Sequence, residues 1–464
     1  MADLAAAEAR ALVHAAAELT QHASDGVLEA IERAAQASAA RIGLAAITGV
    51  ISWAADHPDG HPAGHPAGSV PCPSCGGPAR YTGRRAKTIR TLLGTVSVHR
   101  GYHSCRACRH GFAPLDARLG TRRTSLSPGL ARAAALAGAE MPYAKSFDLI
   151  ATVTGLDLAS TSTLARTTRR EGVRARELIA AEHHAATTTP RPVPSAQAAD
   201  GKGLCYLVLD GTGAPMLPRE CHDRRGKARD GRARTREVKI GCFFTQTRCD
   251  PATGEPIQDP GSATYISTFA PAADFAAAAK AEYHRRDFDQ IRQPIVLGDG
   301  AKWIWNIADQ HFPHATQIVD YYHAREHLAD LTKLLTPHLA DPHAWEQRLV
   351  DHLDLGETAA IADAITALDL PQHAPELARP AATQLGYFTG NHHRMQYADF
   401  RANGYYIGSG PVESACNTIV KQRAKRAGMH WTTAGLDPVL ALRTLHQSHR
   451  DHILWPTTTP TPQT

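Results

Sequence analysis

Three carboxylates stand where the chain leaves regular structure. Asp210 ends the apolar run LCYLVLD before GTG, Asp299 ends PIVLG before the next glycine, and Glu413 follows Pro411 in what reads as the first turn of a helix. A strand that runs out of a core into Asp-Gly puts its carboxylate at a sheet edge, and the glycine clears room beside it for a bulky substrate. Convergent carboxylates repel unless hard cations hold them. Magnesium or manganese takes one or two carboxylates per ion and keeps water and phosphate oxygens as its other ligands. Two such ions about 4 Å apart can activate a water or a 3′-hydroxyl and stabilise the leaving oxygen. The chemistry implied is in-line displacement at a phosphodiester. A single Asp-Gly after a strand is most often just a turn; two of them plus a helix-start glutamate shift the balance toward metal. Asp320, in Asp320-Tyr-Tyr-His323, also sits at a strand end and is the rival carboxylate. His323 either lies beside the acids or is a satisfied structural histidine.

A second constellation is Cys72-x-x-Cys75 and Cys105-x-x-Cys108, separated by 29 residues. Four thiolates in two such knuckles suit a closed, structural zinc site. The hairpin-like stretch KTIRTLLGTVSVHRGYH fills the gap, as in a zinc ribbon, with Gly94 at the turn. Five further cysteines are scattered, and an odd total of nine argues against a disulfide framework and for a reducing compartment.

The positioning elements divide as follows. Residues 1–56 read as an N-terminal helical region, and 57–69 as a His-Pro-Gly linker whose His57, His61 and His65 are better read as a solvated hinge than as metal ligands. Residues 70–120 form the ribbon and 127–186 a helix, a turn at Gly155 and a second helix, Ser160 to Arg170. That helix carries Thr161, Thr163, Arg166, Thr167, Arg169 and Arg170, types that reach phosphates and base edges when a helix-turn-helix docks on DNA. A linker spans 187–203. From 204 to 323 three strands that can pair antiparallel precede two more separated by helices, which predicts a mixed α/β sheet with helices on its faces. Residues 324–400 run helical, 401–450 carry the Glu413 helix, and 451–464 are expected to be a disordered tail. On the Glu413 helix, Asn417 and Lys421 follow at four-residue intervals and share its face; Lys421, Arg423, Lys425 and Arg426 then either complement the helix dipole or contact a DNA backbone.

Charge supports a polyanionic partner. The chain of 464 residues is net +5, yet residues 80–180 hold 18 Lys/Arg against 6 Asp/Glu, and residues 219–239 hold 9 against 4. A hydrophobic fraction of 43% excludes wholesale disorder. No run approaches the ~20 consecutive apolar residues of a membrane span, and the acidic start lacks the basic region of a secretory signal. A cytoplasmic, nucleoid-associated protein is expected. Forty Arg against ten Lys suit a GC-rich, bacterial coding sequence.

With these residues in view, the chain resembles a DDE transposase of bacterial insertion sequences, of the type called ISKra-four, with kinship to the Mutator group. The likeness rests on VLDGTGAPMLPRE, TREVKIGCFFTQT, VLGDGAKWIWNIADQHFPHATQIVDYYHAREHL and NGYYIGSGPVESACNTIVKQRAKRAGMHW, and with the ribbon it covers about residues 70–450. The resemblance implies an RNase-H-like catalytic core with a helical insertion between Asp299 and Glu413. It also implies that Asp210, Asp299 and Glu413 bind magnesium and that His323 acts beside the scissile bond. Many Mutator relatives have Cys where this chain has Asp320. The expected activity is metal-dependent hydrolysis at the element's ends followed by strand transfer, on double-stranded DNA carrying terminal inverted repeats, by a homo-oligomer. The alternatives are a DNA-binding regulator without catalysis and a nuclease that cuts but does not join.

Overall fold

The computed structural model describes residues 2–22, 27–56, 70–156, 158–189, 203–222, 224–226, 231, 233–291, 293–370 and 374–456. The 57–69 linker with its three histidines, nearly all of the 187–203 linker and the end of the tail lie outside the described residues; the tail expected to be disordered begins instead as a short helix, Asp451–Leu454, that buries Leu454. The chain divides into two compact units, Met1–Arg169 and Arg170–Thr464.

In the first unit, a long hairpin of β2 (Pro78–Thr91) and β3 (Gly94–Cys105) is flanked by the two-residue strands β1 (Val70–Pro71) and β4 (Gly111–Phe112), all antiparallel. One hairpin face is apolar, with Ile89, Val96 and Val98 buried. Helix α2 (Val27–Asp56) covers it through Leu44, Ile47 and Ile51. The N-terminal helices are therefore not a region apart: α2 is the second layer that a lone hairpin needs to be stable. Helix α1 (Ala2–His22) joins α2 at Glu8, which accepts from Arg41 Nε at 2.8 Å and Ser38 Oγ at 3.0 Å. Among the described residues α2 is the one helix long and apolar enough, by length and composition, to cross a membrane. It nevertheless carries Glu29, Glu32, Arg33 and Arg41, and its C-terminal half packs on the hairpin.

The ribbon and the following helices also share this unit. The Arg90 amide donates to the Ser125 carbonyl at 2.7 Å and the Ser127 amide to the Arg90 carbonyl at 2.8 Å, which ties α4 (Pro128–Glu140) to the hairpin. Helix α5 (Tyr143–Thr154) stops at Gly155, whose φ of +67° is the left-handed cap that glycine adopts at least cost. The next helix, α6, runs Thr161–Thr188, far beyond the expected Arg170. Leu158 and Leu164 close a small core with Leu126, Leu130 and Ala134.

The second unit is built on a five-stranded mixed sheet in the order β11 (Thr316–Val319), β10 (Gln293–Gly298), β5 (Leu204–Pro215), β6 (Thr235–Gln246) and β9 (Thr264–Thr268), with a separate two-stranded pair of β7 (Arg248–Cys249) and β8 (Pro256–Ile257). Strands β5, β6 and β9 are antiparallel; β10 lies parallel to β5 and β11 parallel to β10. Helices α7 (Ala272–Arg285) and α8 (Lys302–His311) make the crossovers. Leu207, Val208, Leu209, Val296, Leu297 and Ile318 are wholly buried, as continuous apolar strands covered on both faces should be. The helices that follow, α9 (Tyr321–Leu335), α10 (Pro342–Leu355), α11 (Thr358–Thr366) and those at Pro375–Gly390 and Tyr397–Ala402, place Leu328, Leu349, Leu353, Ile361 and Phe388 in the same continuous core as the sheet. The helical insert is thus a wall of this unit.

Candidate functional site

Strand register puts the acids in one row. Leu209 of β5 pairs with Gly298 of β10, and Gly298 with Val319 of β11. Asp210, Asp299 and Asp320 therefore stand one residue further along three adjacent parallel strands. Asp210 does not end its strand as expected: β5 continues to Pro215 because β6 pairs with it that far, while pairing with β10 stops at Leu209. The carboxylate emerges where one neighbour ends and the other continues. The Gly211 amide donates to Asp210 Oδ1 at 2.6 Å, and the Ala301 amide to Asp299 Oδ1 at 3.0 Å.

The room beside the two glycines is occupied by protein. A Cβ on Gly211 would come within 2.4 Å of Glu237 Oε1, and one on Gly300 (φ +94°) within 2.7 Å of the Tyr387 ring. Each glycine admits another side chain of this chain to the acid's flank, which corrects the expectation of open space for substrate.

Glu413 arrives on a helix that begins at Gly410, with Pro411 in its first turn, turns π-helical over Cys416–Lys421 and ends in a last α turn, Gln422–Ala424. Glu413, Asn417 and Lys421 are all exposed, as the four-residue spacing along one face predicts, and the extra residue of the π turn keeps Lys421 in line with Glu413. It also loosens the carbonyl ladder. Arg443, 1% exposed, donates from Nε to the Thr418 carbonyl at 3.1 Å and to the Ile419 carbonyl at 2.9 Å. The turn swings the Cys416 thiol to 3.1 Å from Asp210 Oδ2, which fixes the Glu413 helix against β5. Ser409 Oγ donates to Glu413 Oε1 at 2.6 Å.

Burial pushes the Asp210 carboxyl above its usual range; the Cys416 and Gly211 hydrogen bonds pull the other way, and the charges of Asp299 and Glu413 add to the rise. Asp210 thus feels both other acids, but the three do not close on a single point. Among the described residues, the only set of three or more candidate ligands with atoms all within 4.8 Å of one another is made of cysteines.

Asp320 is committed elsewhere. It is fully buried, its Oδ1 accepts from the His323 amide at 2.6 Å as the N-cap of α9, and its Oδ2 accepts from the Ser409 amide. The Asp-x-x-His element acts here as a helix start. His323 is partly exposed and paired with Glu326 at 3.2 Å; ring contacts run from it to His327 at 5.3 Å and on to Tyr387 at 3.8 Å.

Cations gather near the acids. Lys425 Nζ donates to Thr212 Oγ1 at 3.0 Å, and burial together with Lys421 lowers its pKa. Lys239 Nζ lies 2.6 Å from Glu237. Lys421, Lys425 and Arg426 are exposed, whereas Arg423 is 1% exposed with its guanidinium 4.8 Å over the Trp431 ring. Arg423 braces the fold and does not face solvent, because the π turn rotates it inward. On α6, Arg166 and Arg169 are exposed, Arg170 bonds Glu171 at 2.9 Å, and Thr167 is buried. Cys416, Tyr387, His327, Glu237 and Lys239 are site residues that sequence reasoning missed.

The cysteine quartet sits at the base of the hairpin. Cys72 and Cys108 sulfurs are 3.6 Å apart, as are those of Cys75 and Cys105. A tetrahedral zinc with bonds of about 2.3 Å separates its sulfurs by about 3.8 Å, so the four fit a structural ion. Each knuckle closes on a left-handed residue, Gly76 at φ +72° and Arg109 at φ +58°. The Cys108 amide, then that of Ala107, outweigh burial and bring the Cys105 thiol down to about 7.

Neither a protein-family model nor a curated protein sequence matches this chain.

Proposed function

We propose that the chain is a magnesium- or manganese-dependent DDE transposase with an RNase-H-like core. One observation carries this reading: Asp210 and Asp299 stand side by side past the last rung shared by β5 and β10, and the helix bearing Glu413 is bonded to Asp210 through Cys416. The antiparallel meander followed by two parallel crossovers supports the core assignment. Asp210, Asp299 and Glu413 would hold the cations, which supply an activated water or 3′-hydroxyl and stabilise the leaving oxygen. The protein's part is to fix the carboxylates by the Gly211, Ala301 and Ser409 hydrogen bonds. It also sets the exposed Lys421 and Lys425 at the flank, where they would attract a phosphate backbone. His323, half-buried and one ring contact from His327, would act beside the scissile bond. The zinc ribbon and the α5–turn–α6 segment, read as a helix-turn-helix, would hold the element's inverted repeats through Arg166, Arg169 and Arg170, with the two ends paired by a homo-oligomer in a bacterial cytoplasm.

The test is incubation of the protein with magnesium and DNA carrying the element's termini, scoring nicks and joined products. Asp210→Asn, Asp299→Asn and Glu413→Gln should each lower cleavage at least a hundredfold and leave DNA affinity nearly unchanged. Full activity in any one removes that residue from the triad. The spread of the acids favours a second reading, a DNA-binding regulator, which predicts tight binding and no cleavage by the wild type. Nicks without joined products point to a nuclease.

A further inference from the structure

The Tyr387 hydroxyl is enclosed and has no hydrogen-bond partner among the described residues. Its ring is held in place all the same: it stacks on His327 with centroids 3.8 Å apart, and His327 is anchored in turn by Nδ1 to Gln384 Oε1 at 2.7 Å. The edge of the ring lies against Gly300, where a Cβ would meet the phenol oxygen at 3.4 Å. A buried hydroxyl with no partner is destabilising, so its place beside the acids calls for an acceptor that reaches it in some working state.

Three carboxylates bear electrostatically on this phenol: Asp299, Asp320 and Glu326. Asp320 already accepts a backbone amide on each oxygen. Glu326 is largely exposed and paired with His323. Asp299 accepts only from Ala301, on Oδ1, among the described residues. It is also the residue next to Gly300, against which Tyr387 rests.

We infer that Tyr387 is a positioning residue for Asp299: its phenol donates to the Asp299 carboxylate when that group turns to hold a divalent cation, fixing the ligand's orientation from behind. This rests on the reading of Asp299 as a cation ligand. Groups that orient a metal ligand in this way raise cation affinity, and their loss typically costs about 10- to 100-fold. The helical insert thereby contributes directly to the acid site.

The test is calorimetric titration of the whole 464-residue chain, zinc-loaded, with Mn2+, for wild type, Asp299→Asn and Tyr387→Phe, alongside thermal unfolding after dialysis into buffer free of Mn2+ and Mg2+. Tyr387→Phe should weaken Mn2+ binding about tenfold or more and raise the cation concentration needed for half-maximal cleavage by the same factor. Its melting temperature with the cation removed should equal or exceed that of wild type, since an orphaned hydroxyl has been taken away. A lower melting temperature means the phenol is already paired in a structural role and overturns the assignment. Affinity reduced by Asp299→Asn but untouched by Tyr387→Phe overturns it too. Affinity insensitive to Asp299→Asn overturns both the assignment and the reading of the site beneath it.

Discussion

Glu282 shows how much a single ionised side chain can hold in this molecule. It has no solvent exposure, accepts from Thr264 Oγ1 at 2.5 Å and from Arg285 Nε at 2.7 Å, and faces His183 at 3.6 Å and Arg450 at 3.8 Å. Burial would raise its pKa; the Arg285, His183 and Thr264 partners outweigh that and bring it to about 2 from an ordinary 4.5. A depressed carboxyl contributes stability that is complete above the unfolded-state value and is lost as pH falls from about 4.5 toward 2. Glu282→Gln should therefore cost about 3–5 kcal/mol at neutral pH, by stranding buried cations, and should flatten the acid limb of the stability curve. Urea unfolding at pH 7 and pH 3 measures both; an unchanged acid limb would refute the role. At this scale legibility depended on local signature. Asp210 and Asp299 stood out because an apolar run met Asp-Gly. Tyr387 and Cys416 had no such mark, since their meaning comes from partners distant along the chain. The glycines were seen and misjudged, because nothing nearby in sequence announces Glu237 or Tyr387 as the groups they admit.

The elements that carry the chemistry were legible to the extent that their periodicity was regular. The five strands and the crossover helices fell close to where alternation and helical spacing put them, as did the hairpin between the cysteine pairs. The π turn did not, because one extra residue leaves composition untouched and its stabilising cation, Arg443, comes from the helix Thr433–Gln447. The capping role of Asp320 was likewise hidden behind its look of a site residue. For the metal site at the hairpin's base, the quartet's spacing was the whole signal. Cys72→Ser or Cys108→Ser should lower bound zinc from one ion per chain to none and loosen the β2–β3 base. Metal analysis and amide exchange across residues 78–105 check this, and zinc content unchanged by either substitution would refute the site.

Over the whole molecule, charge was the clearest long-range signal in the sequence, and three of the four basic residues after Glu413 do reach the surface. If they meet a phosphate backbone, Lys421→Ala with Lys425→Ala should weaken binding to any duplex alike. The double change should also make the dependence of log affinity on log salt shallower by about 0.9 for each phosphate no longer neutralised. A titration from low to physiological salt decides it, and an unaltered slope would place the DNA elsewhere. Domain limits were less legible, since α2 covers the hairpin and the helical insert shares the sheet's core, associations that segment-by-segment reading separates. The wide spacing of the acids in the sequence also has a consequence for timing. Segments emerge from synthesis in order, so the strands bearing Asp210 and Asp299 exist long before residue 413 does. A half-made chain can pair much of its sheet while still lacking its third carboxylate, so the acid site is completed only when the last helices have been made.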